Sequence, residues 1–395
     1  MVYTKEEFKA KVESIQAESW YKNPIGFGIA KVDRGQLNRD KILQATFPVV
    51  NSNENFGSAA IFMDAFKQAG VTVDTSKSEA VLDISDDFVA NCIESFRPFI
   101  PEAKGDDHKN VQLVSTLSAL PRELGLTPED YKVVFIFEDD APQSVEAVYL
   151  KLYALSLGKA ELRKLNLNGA FGQLHNVAWN GNNPIELDWL RANELTLKVT
   201  GKYPEIDMVD KFPRFLSHII PADNTRILDT SKVRFGAQLA AGTTVMPGAS
   251  YINFNAGTLG PVMCEGRISS SAIVGSGSDV GGGASILGVL SGTDGNPISI
   301  GENTLLGANS TTGIPVGDGC IVDGGLALFA GTKLYISDAQ IEKIKEANPG
   351  CELRNEMKAA ELAGLNGLHF RQNSQTGQYI VMRSTREVKL NDELH

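Results

Sequence analysis

Glu265 and Arg267 are the residues of this chain whose types and spacing could do chemistry together. They stand in MCEGRISSS, residues 263–271, inside a long stretch otherwise built of small neutral residues and regularly spaced aliphatics. A carboxylate among apolar and glycine neighbours holds its proton more tightly, because desolvation penalises the charged form. That suits it to proton transfer or nucleophilic attack. Arg267 alternates with it and can grip an anionic group through two parallel N–H donors. The plainer reading is an ion pair facing solvent. No histidine occurs between His218 and His369, so this stretch offers neither a histidine general base nor a three-histidine metal site. Elsewhere there is no Walker loop and no G-x-G-x-x-G behind a strand. Asp139 and Asp140 are adjacent and read as solvated loop charges, and His175 in QLHNVAWN reads as a structural histidine.

The element that must position Glu265 repeats every six residues. An apolar side chain recurs at Val233, Leu239, Val245 and Tyr251. After a phase slip it returns at Val262, Ile268, Val274, Val280 and Ile286, then at Ile300 and Leu306, and again at Val316, Val322, Leu328 and Leu334. Gly, Ser, Ala, Asn and Asp fill most positions between. A short fixed period marks a solenoid; a helix would need spacing near 3.6 and would lose roughly 1 kcal/mol at each glycine. Six residues make one short strand and a turn, so three hexads make a triangular coil of about 18 residues. The recurring apolar residue points inward, and Gly and Asn suit the corners. The pattern reads as a parallel β-helix. Regular threonine ranks, which an ice-binding face requires, are absent.

The chain has 395 residues and a net charge of −11, with 42% hydrophobic and 22% charged residues. Two or three domains and an ordinary core are expected. The acidic balance argues against nucleic-acid binding, though local arginines can still hold an anionic small molecule. The charged start MVYTKEEFKAKVES does not read as a secretory signal, and no apolar run approaches the ~18–20 residues that span a bilayer. Cys92, Cys264, Cys320 and Cys351 are too scattered for a zinc site and read as buried thiols. A cytoplasmic protein is expected.

Residues 1–225 read as an α/β domain: a helix opened by a Thr4/Glu7 capping box, strands at GFGIAKVDRG, ATFPVVN, EAVLDIS and KVVFIFED, and helices at 58–70, 88–96 and 144–165, the last the longest. WNGNNPIELDWLRANE has no clear period. Residues 226–338 form the repeat domain. Residues 339–395 add the helix SDAQIEKIKEA (337–347), a second helix at NEMKAAELAG, a β-hairpin across LHFRQNSQTGQYIVMRS and the charged tail EVKLNDELH.

The segments NFNAGTLG (253–260), MCEGRISSSAIVGSGSDVGGGASILG (263–288), SIGENTLLGANSTTGIPVGDGCIV (299–322) and LHFRQNS (368–374) resemble the tetrahydrodipicolinate N-succinyltransferase family, in the branch found in actinobacteria and some other bacteria. The resemblance covers roughly 226–395; the N-terminal half resembles the family much less. It implies a left-handed β-helix and a homotrimer with sites between neighbouring helices. It also implies transfer of a succinyl group from succinyl-CoA to the amine of ring-opened L-2-amino-6-oxopimelate, a dicarboxylate, in the route to diaminopimelate and lysine.

On this resemblance Glu265 is the catalytic carboxylate, acting as an acyl-anhydride nucleophile or as a general base. Arg267 would contact the donor or a substrate carboxylate. Gly282 and Ser285 would flank the pantetheine arm, with Ala308 lining the same channel. Asp323 and Gly324 stand where the family shows Glu-Ala, and Gly331 follows. Lys358 and the run Arg371, Gln372, Asn373 and Ser374 would hold the CoA phosphates and adenine. Gln372 replaces a family arginine, which should weaken that grip modestly. Some members hold a metal on the trimer axis through an Asp and a Glu, but 230–232 and 248–250 here carry no carboxylate, so no metal is assigned. Two other readings stay open: an acetyl-CoA-dependent N-acyltransferase on the same scaffold, and a non-catalytic β-helix scaffold subunit.

Overall fold

The computed structural model describes residues 2–120, 127–289, 293, 295–386 and 388–390. They divide into two units: Met1–Ala154 with Lys164–Pro213, and Leu155–Arg163 with Arg214–His395. No helix among the described residues is long and apolar enough to cross a membrane.

The first unit is α/β. Its opening helix, Lys5–Gln16, carries the expected capping box: Glu7 N–H donates to Thr4 Oγ1 at 3.1 Å, and Thr4 N–H to the Glu7 carboxylate at 3.2 Å. An antiparallel sheet runs in the order Ile42–Thr46, Gly26–Arg34, Tyr131–Ile136, Glu79–Asp83. The helices Phe56–Gln68 and Asp86–Phe96 pack on it, and Phe27, Phe62, Phe88 and Phe135 meet in the core. Each fully buried aromatic contributes about 2–3 kcal/mol. The stretch without a clear period is a hairpin, Val177–Asn180 with Asn183–Glu186, feeding the helix Leu187–Val199.

One expectation fails at the helix that leaves this unit. The helix expected over 144–165 spans only Val145–Ser156, and Gly158, at φ +66°, takes the left-handed geometry that ends a helix. Asp139 and Asp140 are exposed loop residues, as expected, and Asp139 has a further role. It bonds the Lys151 ammonium at 2.7 Å, and that ammonium also donates to the carbonyls of Asp140 and Asn166. Lys151 is only 3% exposed, and a buried cation is tolerable only when its donors are so satisfied.

In the second unit, successive strands of the repeat visit three parallel sheets in rotation. Thr244–Val245, Val262–Cys264, Ser278–Val280, Leu305–Leu306 and Ile321–Val322 stack in the first sheet. Tyr251–Ile252, Arg267–Ile268, Ser285–Ile286, Thr311–Thr312 and Ala327–Leu328 form the second, and Gly257–Thr258, Ile273–Val274 and Ser299–Ile300 the third. Val245, Cys264, Val280, Leu306 and Val322 line up through the first sheet with no exposure. The second sheet corrects the expected phase: Ile252, not Tyr251, pairs with buried Ile268, and Tyr251 faces outward opposite Arg267.

The strand Leu368–Gln372 joins the first sheet beside Ile321–Val322 and forms the expected hairpin with Tyr379–Arg383. The helix Asp338–Ala347 is present. NEMKAAELAG is not a helix. Glu356–Lys358 pairs antiparallel with Lys333–Tyr335, and only a short 3-10 turn, Ala359–Leu362, follows. Sheet pairing and burial of Met357 and Leu362 override a local preference worth a few tenths of a kcal/mol per residue. The tail expected at 387–395 lies largely outside the described residues.

Candidate active site

Glu265 occupies a corner of the repeat where the chain leaves the first sheet for the second. Its amide donates to Val280 O at 2.8 Å, and its carbonyl accepts from Gly283 N–H at 3.2 Å. The backbone is thus held on both sides while the half-buried carboxylate projects from the corner. Its neighbours are glycines because the rounds come too close for side chains. A Cβ on Gly266 would stand 2.3 Å from Ala284 O, on Gly281 2.7 Å from Leu306 O, and on Gly307 2.5 Å from Gly324 N. Gly282 differs: its Cβ would meet only the Glu265 carboxylate, at 3.6 Å. Its smallness leaves the carboxylate uncovered.

Arg267 is exposed on the adjoining sheet, and its Nε donates to Ser285 Oγ at 3.3 Å. Ser285 is 8% exposed and sits one round on, in register with Arg267. Glu265, Arg267, Gly282 and Ser285 therefore form one cluster. The buried thiol beside it, Cys264, is pushed up to about 12 by burial, so it offers no competing nucleophile.

The same corner continues along the stack. Glu265 bonds to Val280, Gly281 to Leu306, Gly307 to Val322 and Asp323 to Phe370, each through its amide. Glu265, Gly281, Gly307, Asp323 and Arg371 are thereby in register, with Gly282, Ala308 and Gly324 beside them. At about 4.8 Å per strand step, Asp323 lies roughly 14 Å and Arg371 roughly 19 Å along the ladder from Glu265. At the far end Asp323 accepts from His369 Nε2 at 2.7 Å, and Arg371 Nε lies 3.6 Å from its other oxygen.

The remaining expected residues lie further out. Gln372 Nε2 donates to Gly377 O, and Asn373 Oδ1 accepts from the amides of Gln375 and Thr376, so both shape the hairpin turn that carries exposed Ser374. Lys358 sits directly opposite Lys333 in a groove of about 410 Å3 that Arg354 and Gln378 also line. Gly331 adjoins this strand, with open space where a side chain would be. Seven pairings in the sheet order separate the strand of Lys358 from that of Glu265, so these residues are not one pocket but the two ends of a long track.

His369 and Lys333 were not picked out from the sequence. Strand alternation in LHFRQNS puts His369 on the face of Arg371, which was the signal available for it. At 230–232 and 248–250, where the resemblance implies a metal pair in some members, Lys232 Nζ donates to Gly248 O at 2.7 Å. An ammonium spans the place where a carboxylate pair is needed, so these residues do not fit a metal.

The parallel six-residue repeat is that of hexapeptide-repeat proteins, and residues 297–330 match the family model described as hexapeptide repeat of succinyl-transferase. The chain belongs to the tetrahydrodipicolinate N-succinyltransferase family: residues 6–172 match its N-terminal model and 174–214 its middle model. The match thus extends through the half in which the resemblance had been slight. A relative from a Nitratiruptor species, named 2,3,4,5-tetrahydropyridine-2,6-dicarboxylate N-succinyltransferase, is 67% identical over 100% of both chains. Its namesake from Campylobacter jejuni is 57% identical over 100% of both. A crystal structure from Campylobacter jejuni, of a protein carrying the name 2,3,4,5-tetrahydropyridine-2-carboxylate N-succinyltransferase, superposes with a TM-score of 0.92 at 56% identity. The superposition covers 98% of this chain and 100% of that one.

Proposed function

We propose that this chain transfers the succinyl group of succinyl-CoA to the amine of L-2-amino-6-oxopimelate, the open form of tetrahydrodipicolinate, in diaminopimelate and lysine biosynthesis. The observation that carries the reading is the corner itself: an uncovered Glu265 carboxylate beside Arg267 and Ser285, continued by a track of glycine and alanine to Asp323 and Arg371. An extended thioester arm fits along such a track, with its reactive carbonyl at Glu265 and its phosphates toward Arg371, the hairpin tip and Lys358. Binding energy from that long handle positions the thioester. Arg267 suits a carboxylate of the succinyl group or the acceptor.

Glu265 serves one of two routes. As a base it takes the N–H proton while the amine lone pair attacks the thioester carbonyl and CoA thiolate departs. As a nucleophile it displaces CoA first, and the amine then opens the mixed anhydride. In this reading 226–338 is a left-handed parallel β-helix that supplies the reaction platform, 339–395 serves the far end of the donor, and the first unit is an α/β domain. The working form is a cytoplasmic homotrimer.

The test is a thiol-release assay with L-2-aminopimelate, comparing succinyl-CoA with acetyl-CoA. Release with succinyl-CoA that is lost in Glu265→Ala supports the reading. Release only with acetyl-CoA would reassign the donor, and undiminished turnover in the variant would remove Glu265 from the chemistry. A burst of CoA release without amine, one per site, separates the anhydride route from direct attack.

A further inference from the structure

A second cleft, of about 780 Å3, opens at the other end of the same strands, before Ile321–Val322 and Leu368–Gln372 rather than after them. Asp318, Asn366, Arg383, Ser384, Arg386 and Lys389 are among the residues that line it. Asp318 is fixed from both sides: its Oδ1 accepts from Glu302 N–H at 2.8 Å, and its own N–H donates to Asn366 Oδ1 at 2.8 Å. Among the described residues the Arg383 guanidinium is held by one bond, from Nη1 to Gly367 O at 2.8 Å. A guanidinium has five N–H donors, so most of its capacity remains for a ligand.

Among the described residues neither Asp318 nor Arg386 has an ion-pair partner, although opposite charges line one cleft. Ser384 adds an independent observation: it is 8% exposed, and its Oγ has no hydrogen-bond partner among the described residues. A buried hydroxyl without a partner is destabilising, a cost that a ligand acceptor would remove.

We propose that this cleft binds a small zwitterion. Its carboxylate would lie between Arg383, Arg386 and the Ser384 hydroxyl, and its ammonium on Asp318. A plain anion would meet the Asp318 carboxylate unfavourably, and a plain cation would meet the arginines. Only a molecule bearing both groups, an amino acid by class, matches both walls. The site is separate from the Glu265 corner and does not depend on the reaction proposed there.

Calorimetric titration of the full chain with L-glutamate and L-lysine tests the site, with glutarate and 1,5-diaminopentane as probes that each lack one of the two charges. The expected result is saturable binding of at least one amino acid, one per chain, weakened about tenfold or more in Asp318→Asn and in Arg386→Gln, both exposed substitutions, and retained in Glu265→Gln. Glutarate and 1,5-diaminopentane should each bind at least about tenfold more weakly. No saturation by either amino acid overturns the proposal. So does an affinity unchanged in both cleft variants, or glutarate binding as tightly as the amino acids.

Discussion

Glu265 and its immediate neighbours make sharply different predictions. Glu265→Gln keeps shape and removes the carboxylate proposed to act as base or nucleophile, and kcat should fall by about 10²–10⁴ with the melting temperature unchanged. Gly282→Ala places a methyl 3.6 Å from the Glu265 carboxylate; thermal unfolding should be unchanged while kcat falls. Gly281→Ala, one residue away, puts its Cβ 2.7 Å from Leu306 O and should destabilise by about 1–3 kcal/mol. If the two alanine variants behaved alike in unfolding, the assignment of Gly282 to the site would be wrong. The thiols offer an independent check on enclosure. Burial pushes Cys264 up to about 12 and Cys320 to about 11, whereas Cys351 is partly exposed. Native alkylation near pH 8 should therefore mark Cys351 first, read by peptide mass spectrometry. Glu265 was legible in the sequence because it interrupts a neutral period. His369 was not, because its partner Asp323 lies 46 residues away and only the sheet register brings them together.

At the level of elements, the period predicted inward positions well but could not tell Tyr251 from Ile252. Both are apolar, and only pairing with Ile268 decides which turns in. NEMKAAELAG misled for the opposite reason: its local signal is strong, but the strand Lys333–Tyr335 captures it. Least legible was the segment Leu155–Arg163, which packs on the repeat. Arg163, at φ +70°, donates to Ser271 O at 2.6 Å, Ser299 Oγ at 2.9 Å and Ile298 O at 2.5 Å, and its amide donates to Asn255 Oδ1. It ties three rounds together from outside. Arg163→Ala should destabilise the second unit by about 2–3 kcal/mol in denaturant unfolding. A loss below a few tenths would mean the clamp is ornamental.

For the whole molecule, acid sensitivity is expected in the first unit. Glu186 is fully buried, which alone would raise its pKa. The Asn38 side chain, the amides of Leu37 and Asn38, and Lys41 outweigh burial and hold it below the ordinary 4.5. A folded pKa below the unfolded one means the unfolded state binds more protons, so stability rises with pH. This contribution is present above about pH 4.5 and is lost as pH falls through the folded value. Glu186→Gln should flatten the acid limb of melting temperature against pH and, by leaving donors mispaired, cost about 3 kcal/mol at pH 7. The proposed assembly is checked by light scattering, which should return three times the chain mass of 42.6 kDa.

The register of the Glu265 corner has one more consequence. Because each round advances the stack by one strand spacing, the corner is a ruler graduated in steps of about 4.8 Å, with the Glu265 carboxylate at zero and the Asp323–Arg371 pair at marks three and four. Removing the single round 307–322 would slide that pair back one graduation without altering a residue at Glu265. Such a variant should lose affinity for the natural donor and favour a thioester whose arm is shorter by about one strand spacing. On the proposed placement of the donor, the length of arm this chain accepts is written in how many rounds it has, not in the identity of any one side chain.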